Sequence, residues 1–412
     1  MTPRSCASVT SVALPPVEMG DVAWGDYDND GRLDFLLTGD LDGIHLAAQL
    51  WRNTGSGFAN VPIPGLLGVQ YGSVAWSDYD NDGRLDFLLT GETNYSDSGG
   101  VAQVWRNTGS GFTNAAIPAL PGVSSYSSSS AWGDFDNDGR LDLLLTGSGR
   151  DSNPVAELWR NTGSNFSHVP IPGLPGVKNS AVAWGDFDND GWLDFLLAGR
   201  AGVYSSSPPI TQLWRNTGNG FTHVPIPDLP AVRSGSVAWG DYDNDGRLDI
   251  LLAGGSGASK VAQVWRNIST VTNTPPNAPT QLTANRVGAS IHLAWTPATD
   301  EQTPSDTLTY NLRVGTAPGA ADVFAPQAAL DTGLRRLPAM GSVQHQVSVL
   351  LGNLSQADYY WSVQAVDGGF RGSPFAAEGR FYVWPPAVTT LAATAVDRKS
   401  TRLNSSHEVP SR

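Results

Sequence analysis

A chain of 412 residues with 46 glycines, 28 prolines and a formal net charge of −14 has room for two or three turn-rich domains. Its single cysteine, Cys6, excludes an intrachain disulfide. No apolar run reaches membrane-spanning length, and no basic patch marks a nucleic-acid partner. Met1 to Ser11 lacks the apolar core of a signal peptide, so the N-terminus of this chain is expected not to be the natural one.

Internal repeats dominate residues 14–267. The first contains a short β-prone run, Val22-Ala23-Trp24, and then the loop Asp26-Tyr27-Asp28-Asn29-Asp30-Gly31-Arg32-Leu33-Asp34. Its carboxylates fall at loop positions 1, 3, 5 and 9, with glycine at 6. Alternate residues of a tight loop point their oxygens inward, and the position-7 backbone carbonyl adds another, which suits a hard cation. Four like charges so close repel unless a cation neutralises them. The same loop returns with Asp78, Asp80, Asp82, Arg84 and Asp86, then with Asp134, Asp136, Asp138, Arg140 and Asp142. It returns again with Asp186, Asp188, Asp190, Trp192 and Asp194, and with Asp241, Asp243, Asp245, Arg247 and Asp249. Asp-Asn-Asp-Gly is also good turn chemistry, but five copies between the same apolar segments point to five calcium sites. Twenty of the 39 acidic residues belong to these loops, so five divalent ions would bring the net charge from −14 to about −4. The acidity therefore reports a metal requirement rather than a basic partner.

The loop aspartates at 26, 78, 134, 186 and 241 set periods of 52, 56, 52 and 55 residues. Four strands are expected in each period. Strand A is of the Gly72-Ser73-Val74-Ala75-Trp76 type and strand B of the Leu85-Asp86-Phe87-Leu88-Leu89 type. Strand C ends in Trp-Arg-Asn, at Trp51, Trp105, Trp159, Trp214 and Trp265. Strand D is of the Asn60-Val61-Pro62-Ile63-Pro64 type. Its prolines predict an edge strand, and the continuous apolar character of strand B predicts burial on both faces. Four strands running from buried to edge at this period describe a propeller blade, with the metal in the A–B hairpin and not in an EF-hand.

These repeats resemble the FG-GAP/VCBS family, known from the β-propeller head of integrin alpha subunits. The resemblance covers about 250 residues. It implies calcium in the A–B hairpin of each blade, held by the four aspartates, with Arg32, Arg84, Arg140, Trp192 and Arg247 giving only their carbonyls. Family propellers commonly have seven blades, whereas five are visible here. The two tryptophans per repeat are expected in inter-blade packing rather than as sugar-stacking platforms. The six histidines form no ligand-spaced cluster, and no nucleophile elbow or phosphate loop is present.

In an up-and-down blade the A–B and C–D turns share one end, and the B–C and D–A loops share the other. Ligand binding, to a protein or a glycan, is therefore expected on the B–C/D–A face, with Tyr95 and Tyr204 as candidates. Loop variation between repeats there is what a binding face would show, and it is also what unconstrained loops show. The ring is expected to close, if at all, with five blades, Ser8–Val12 completing the blade that ends at Trp265. An open arc would instead mean blades missing upstream.

A proline-rich linker follows at Asn273–Pro279. Strands are then expected at Gln281–Ala284, Ile291–Trp295, Leu308–Val314, Val347–Leu351 and Tyr359–Asp367. This part, roughly residues 277–384, resembles a fibronectin type III domain, including a tyrosine corner after Leu354. Residues 315–342 are expected as a loop or irregular strand. The domains expected are thus 1–272 (propeller), 273–385 (β-sandwich) and 386–412. The last contains Asp397–His407, which resembles a translated sequencing adaptor and is expected to be a disordered, artefactual tail.

The expected protein is all-β, a propeller of about five four-stranded blades plus a sandwich, extracellular and bacterial, with structural calcium and a role in adhesion. The alternatives are a lectin-like binder and the platform of a secreted polysaccharide-degrading enzyme. No catalytic constellation is visible, and no enzyme activity is expected.

Overall fold

A computed structural model describes residues 14–94, 100–117, 120–149, 153–204 and 206–384. The described residues are nearly all strand and loop, and five antiparallel blades follow one another. Blade 1 is β1 (Val22–Gly25), β2 (Asp34–Asp40), β3 (Leu46–Asn53) and β4 (Phe58–Val61). Blade 2 is β5 (Val74–Ser77), β6 (Asp86–Glu92), β7 (Gly100–Asn107) and β8 (Phe112–Asn114). Blade 3 is β9 (Ser124–Gly133), β10 (Asp142–Ser148), β11 (Pro154–Asn161) and β12 (Phe166–Val169). Blade 4 is β13 (Val177–Gly185), β14 (Asp194–Ala201), β15 (Pro209–Asn216) and β16 (Phe221–Val224). Blade 5 has three strands, β17 (Arg233–Gly240), β18 (Asp249–Ser256) and β19 (Ser259–Trp265).

The second strand of blades 1 to 3 is buried along its whole length, as two-sided packing requires. The fourth strand lies at the outer edge. It begins earlier than its sequence suggests and stops where the first proline removes a donor: Phe58–Val61, where Asn60–Pro64 was expected. The connector to the next blade crosses back and pairs with the third strand, at Val101↔Val123, Val155↔Val177 and Ile210↔Val232.

Neighbouring blades share one repeated apolar interface. Leu36 and Leu50 of blade 1 pack against Val74, Phe87, Leu89 and Trp105 of blade 2. Leu144 and Leu158 meet Val182, Trp184, Phe195 and Trp214, and Leu196 and Leu213 meet Val237, Trp239, Ile250 and Leu252. The first-strand tryptophan also donates its indole N–H backwards: Trp76 to the Ala23 carbonyl, Trp184 to Ala131 and Trp239 to Ala183, at 3.1–3.2 Å. The ring can approach because the preceding strand ends in glycine. A Cβ on Gly25, Gly133 or Gly185 would stand 2.8 Å from it. In blade 2 the position is Ser77, and there the arrangement fails. Trp132 Nε1 is buried with no partner, and so is Ser77 Oγ. Gly185→Ser is therefore expected to lower stability by about 1–3 kcal/mol, the cost of orphaning a buried donor, read as a drop in melting temperature. Ser77→Gly should raise it.

Residues 280–382 form two three-stranded sheets around a common core that includes Trp295, Tyr310 and Trp361. One sheet is β20 (Thr280–Val287), β21 (Ser290–Thr296) and β23 (Ser348–Leu351). The other is β22 (Thr309–Gly315), β24 (Asp358–Val366) and β25 (Gly379–Tyr382). The last strand, Gly379–Tyr382, was not legible beforehand. Tyr359 Oη donates to the Ser355 carbonyl at 2.9 Å, the expected corner. Residues 316–342 hold no named strand. Ser8–Val12, Tyr95 and the tail after 384 lie outside the described residues.

Candidate metal centres

Each A–B hairpin gathers carboxylates. One oxygen from each of Asp26, Asp28 and Asp34 lies within 4.8 Å of the others, and the same holds for Asp78/Asp80/Asp86, Asp134/Asp136/Asp142, Asp186/Asp188/Asp194 and Asp241/Asp243/Asp249. The loop is built by its own backbone. Asp26 accepts from the amides of Asp30 and Gly31, and Asp34 from those of Tyr27 and Asn53, at 2.7–3.2 Å. Position 4 is an asparagine held at positive φ, from 53° to 59° across the loops, and position 6 a glycine near 80°, both in the left-handed region that these residues tolerate.

The donor set fits a cation. Asp28 Oδ1, Asp80 Oδ1, Asp136 Oδ1 and Asp188 Oδ1 are buried without a hydrogen-bond partner, a costly state for a carboxylate. Burial, opposed by backbone amides and reinforced by neighbouring carboxylates, pushes Asp26, Asp34, Asp78, Asp134 and Asp186 up to about 7. It pushes Asp142 to about 8, and Asp86 and Asp194 to about 9. The fifth loop is more open, with Asp243 exposed.

Position 5 stands apart from each group. Asp30 pairs with Arg32, and Arg52 bridges Asp28 Oδ2 at 2.7 Å and Asp30 Oδ2 at 3.5 Å. Asp82, Asp138, Asp190 and Asp245 are held likewise by Arg106, Arg160, Arg215 and Arg266. The position-7 arginines do more with their side chains than the resemblance implied. Arg32, Arg84, Arg140 and Arg247 donate Nε to the carbonyls of Asn53, Asn107, Asn161 and Asn267 at 3.0–3.1 Å. Trp192 lies instead against Gly218, where a Cβ would stand 2.9 Å from the indole.

Two sets of site residues were not singled out beforehand. One is the arginine of Trp-Arg-Asn just described. The other is its asparagine: Asn107, Asn161, Asn216 and Asn267 donate Nδ2 to the position-2 carbonyl of the preceding loop, at 2.6–2.8 Å. The position-4 asparagines reach forward, Asn29 to the Gly83 carbonyl and Asn81 to Gly139, both at 2.8 Å. The loops are thereby strung together. The signal was present, since Trp-Arg-Asn recurs five times, but strand packing already accounted for it.

The sandwich rests on this face. Gln344 Oε1 accepts from the Asp78 amide at 2.7 Å, and Gln346 Nε2 donates to Asp78 Oδ2 at 2.8 Å. The Asp186 amide donates to the Gly368 carbonyl at 3.1 Å, and Asn273 N–H to Gly246 at 2.9 Å. A Cβ on Gly31 or Gly191 would collide with the carbonyls of Val323 or Gln302. The glycine of these two loops is thus required twice, by φ and by the neighbouring domain.

Fold and loops together define an all-β propeller whose hairpins could hold metal ions. Residues 26–89, 78–145 and 199–252 match the FG-GAP-like repeat, so the chain carries repeats of that type. T-cell immunomodulatory protein of Rattus norvegicus is 30% identical and that of Mus musculus 31% identical, over 170 residues. Each match covers 34% of this chain and 26% of the relative, so it spans about a quarter of those proteins. Among solved structures, an endo-arabinase from Bacteroides thetaiotaomicron VPI-5482 aligns at TM-score 0.33 and 13% identity, over 64% of this chain and 98% of its own. A beta-1,2-glucanase from Parabacteroides distasonis aligns at 0.21 and 16%, over 63% and 37%. Likenesses of that extent carry no argument about activity.

Proposed function

We propose that the chain is an extracellular calcium-binding interaction module, in which calcium stabilises the blades and the B–C/D–A face binds a protein or glycan ligand. The observation that carries the calcium reading is the buried, partnerless carboxylate oxygen at position 3 in four successive loops. Positions 1, 3 and 9 would hold the ion. The position-5 aspartates and the position-7 carbonyls complete the set once the Trp-Arg-Asn arginines yield. The ion supplies charge neutralisation. The choice of face is supported by the sandwich resting on the metal loops, which leaves the opposite loops as the accessible ones. Tyr204, 76% exposed in the β14–β15 loop, belongs to that face. We read residues 280–382 as a fibronectin type III domain, a reading supported by the two-sheet strand order and the Tyr359 corner. We propose binding rather than catalysis because the repeated carboxylates serve the loops.

A glycan and matrix-protein array, run with and without calcium, tests the binding reading. Tyr204→Ala and Tyr95→Ala are expected to weaken a captured ligand several-fold with an unchanged melt. Intact binding in both, with loss in metal-loop variants that remain folded, would place the ligand on the other face.

A further inference from the structure

Asp78, the first-position aspartate of the blade 2 loop, differs from its four counterparts in one respect. Asp26, Asp134, Asp186 and Asp241 each accept two amide protons from their own loop, and their carboxylates have no further donor among the described residues. Asp78 accepts the same two, from Asp82 and Gly83 at 2.9 Å. It also accepts a third from outside the propeller, where Gln346 Nε2 donates to its Oδ2 at 2.8 Å. A carboxylate offers about four lone-pair sites, so the third donor fills Oδ2 and leaves the free lone pair on Oδ1. The donor is fixed from behind. Gln346 follows the turn from Gly341 to Gln344, which is bonded to the sandwich core. The Val343 amide donates to the Tyr310 carbonyl at 2.9 Å, and the amide of this buried tyrosine donates to the Gln344 carbonyl at 2.8 Å. Gln344 holds φ at 49°, a left-handed conformation that a residue other than glycine adopts at a cost. There its Oε1 accepts from the Asp78 amide at 2.7 Å. Two side chains of the sandwich thus converge on one aspartate.

We infer that Gln346 is a positioning residue for the cation of this loop, and that the ion and the seating of the sandwich strengthen each other. The inference rests on the calcium reading above and adds that the neighbouring domain completes the blade 2 site. Hydrogen bonds to a carboxylate favour its ionised form, which is the form a cation needs. An outer partner that holds a ligand in place commonly changes metal affinity 10–100-fold. Coupling between two binding equilibria is reciprocal. An ion favoured by the seated sandwich therefore favours seating by the same factor, and a propeller with the sandwich lifted away has a weaker site at Asp78.

Hydrogen exchange of the full chain, read by mass spectrometry across a calcium series, is the test, because each loop peptide gives its own midpoint. Gln346→Leu removes the donor and keeps a side chain of similar size. In it the midpoint for residues 78–86 should rise ~10-fold or more, while that for residues 134–142 stays in place. The reverse arm uses Asp80→Asn, a loop residue that pairs with Arg106 and not with the sandwich. It should speed exchange at residues 341–347 in millimolar calcium and leave it at the wild-type rate in EDTA. An unmoved 78–86 midpoint in Gln346→Leu overturns the inference, as does an equal rise in every loop. Unchanged exchange at residues 341–347 in Asp80→Asn overturns it as well. Wild-type loops that gain no protection from calcium would be a different result, sinking the calcium reading and the inference with it.

Discussion

Chelation with EDTA is expected to lower the melting temperature of the chain by ~5–25 °C relative to millimolar calcium. Calcium modules of the extracellular type bind with affinities of roughly 10⁻⁴–10⁻³ M. At millimolar ion each site then adds about 0.4–1.4 kcal/mol, because the unfolded chain has no assembled site. Five sites give ~2–7 kcal/mol, and about 2–4 °C per kcal/mol for a domain of this size converts that into the expected shift. The sites should not contribute equally. Asp86 and Asp194 are fully buried, whereas the loop of Asp241, Asp243 and Asp249 is the most open. Asp86→Ala should therefore abolish more of the calcium response than Asp243→Ala. Calorimetry with and without EDTA checks both, and an unchanged melting temperature sinks the structural-calcium reading.

The metal-free protein is expected to become less stable as pH rises from 5 to 8.5, opposite to the usual behaviour of paired carboxylates. The first- and ninth-position aspartates of the first four loops are raised by burial to between about 7 and about 9. A carboxyl raised in the folded state holds its proton more tightly there than in the unfolded chain. The folded state thus binds more protons between the unfolded value, near 4, and the folded one, and stability falls as pH climbs through that window. Summed over several loops and discounted for relaxation, the loss is on the order of 5 kcal/mol, or ~10–20 °C. Calcium should remove most of this dependence, since an ion stabilises the ionised form. Melting curves at pH 5, 7 and 8.5, each with EDTA and with calcium, should diverge as pH rises. Parallel curves would mean that the loop carboxylates stay ionised without metal.

The parts legible in the sequence were those enforced at every repeat. The aspartate spacing marked the hairpins, and the four-strand order followed from where apolar continuity, tryptophan and proline fall. What escaped were exceptions to the repeat and contacts outside it. Ser77 differs from Gly25, Gly133 and Gly185 by one hydroxymethyl group, yet it leaves Trp132 without its acceptor. Nothing in the strand pattern signals that, because the glycine matters only through the next blade's ring. The arginines of Trp-Arg-Asn carry no signal of their own in the strand pattern, and the pairing of Arg52 with Asp28 and Asp30 depends on the hairpin that enters the neighbouring strand. The seat of the sandwich on the metal loops is carried by Gln344, Gln346 and Gly368. These residues have no periodicity, so no repeat argument could reach them.

That seat has a mechanical meaning. The sandwich meets the propeller at several hairpins, from Gly31 and Asp78 through Asp186 and Gly191 to Gly246. A pull that separates the sandwich from the propeller is borne by those hairpins in parallel rather than by the Asn273–Pro279 linker alone. Parallel attachments share load, so the joint yields only when several let go together. Each hairpin is itself braced by whatever neutralises its carboxylates. On the proposed calcium reading, the stiffness of this joint would follow the ion concentration around it, tighter in calcium and slacker without it.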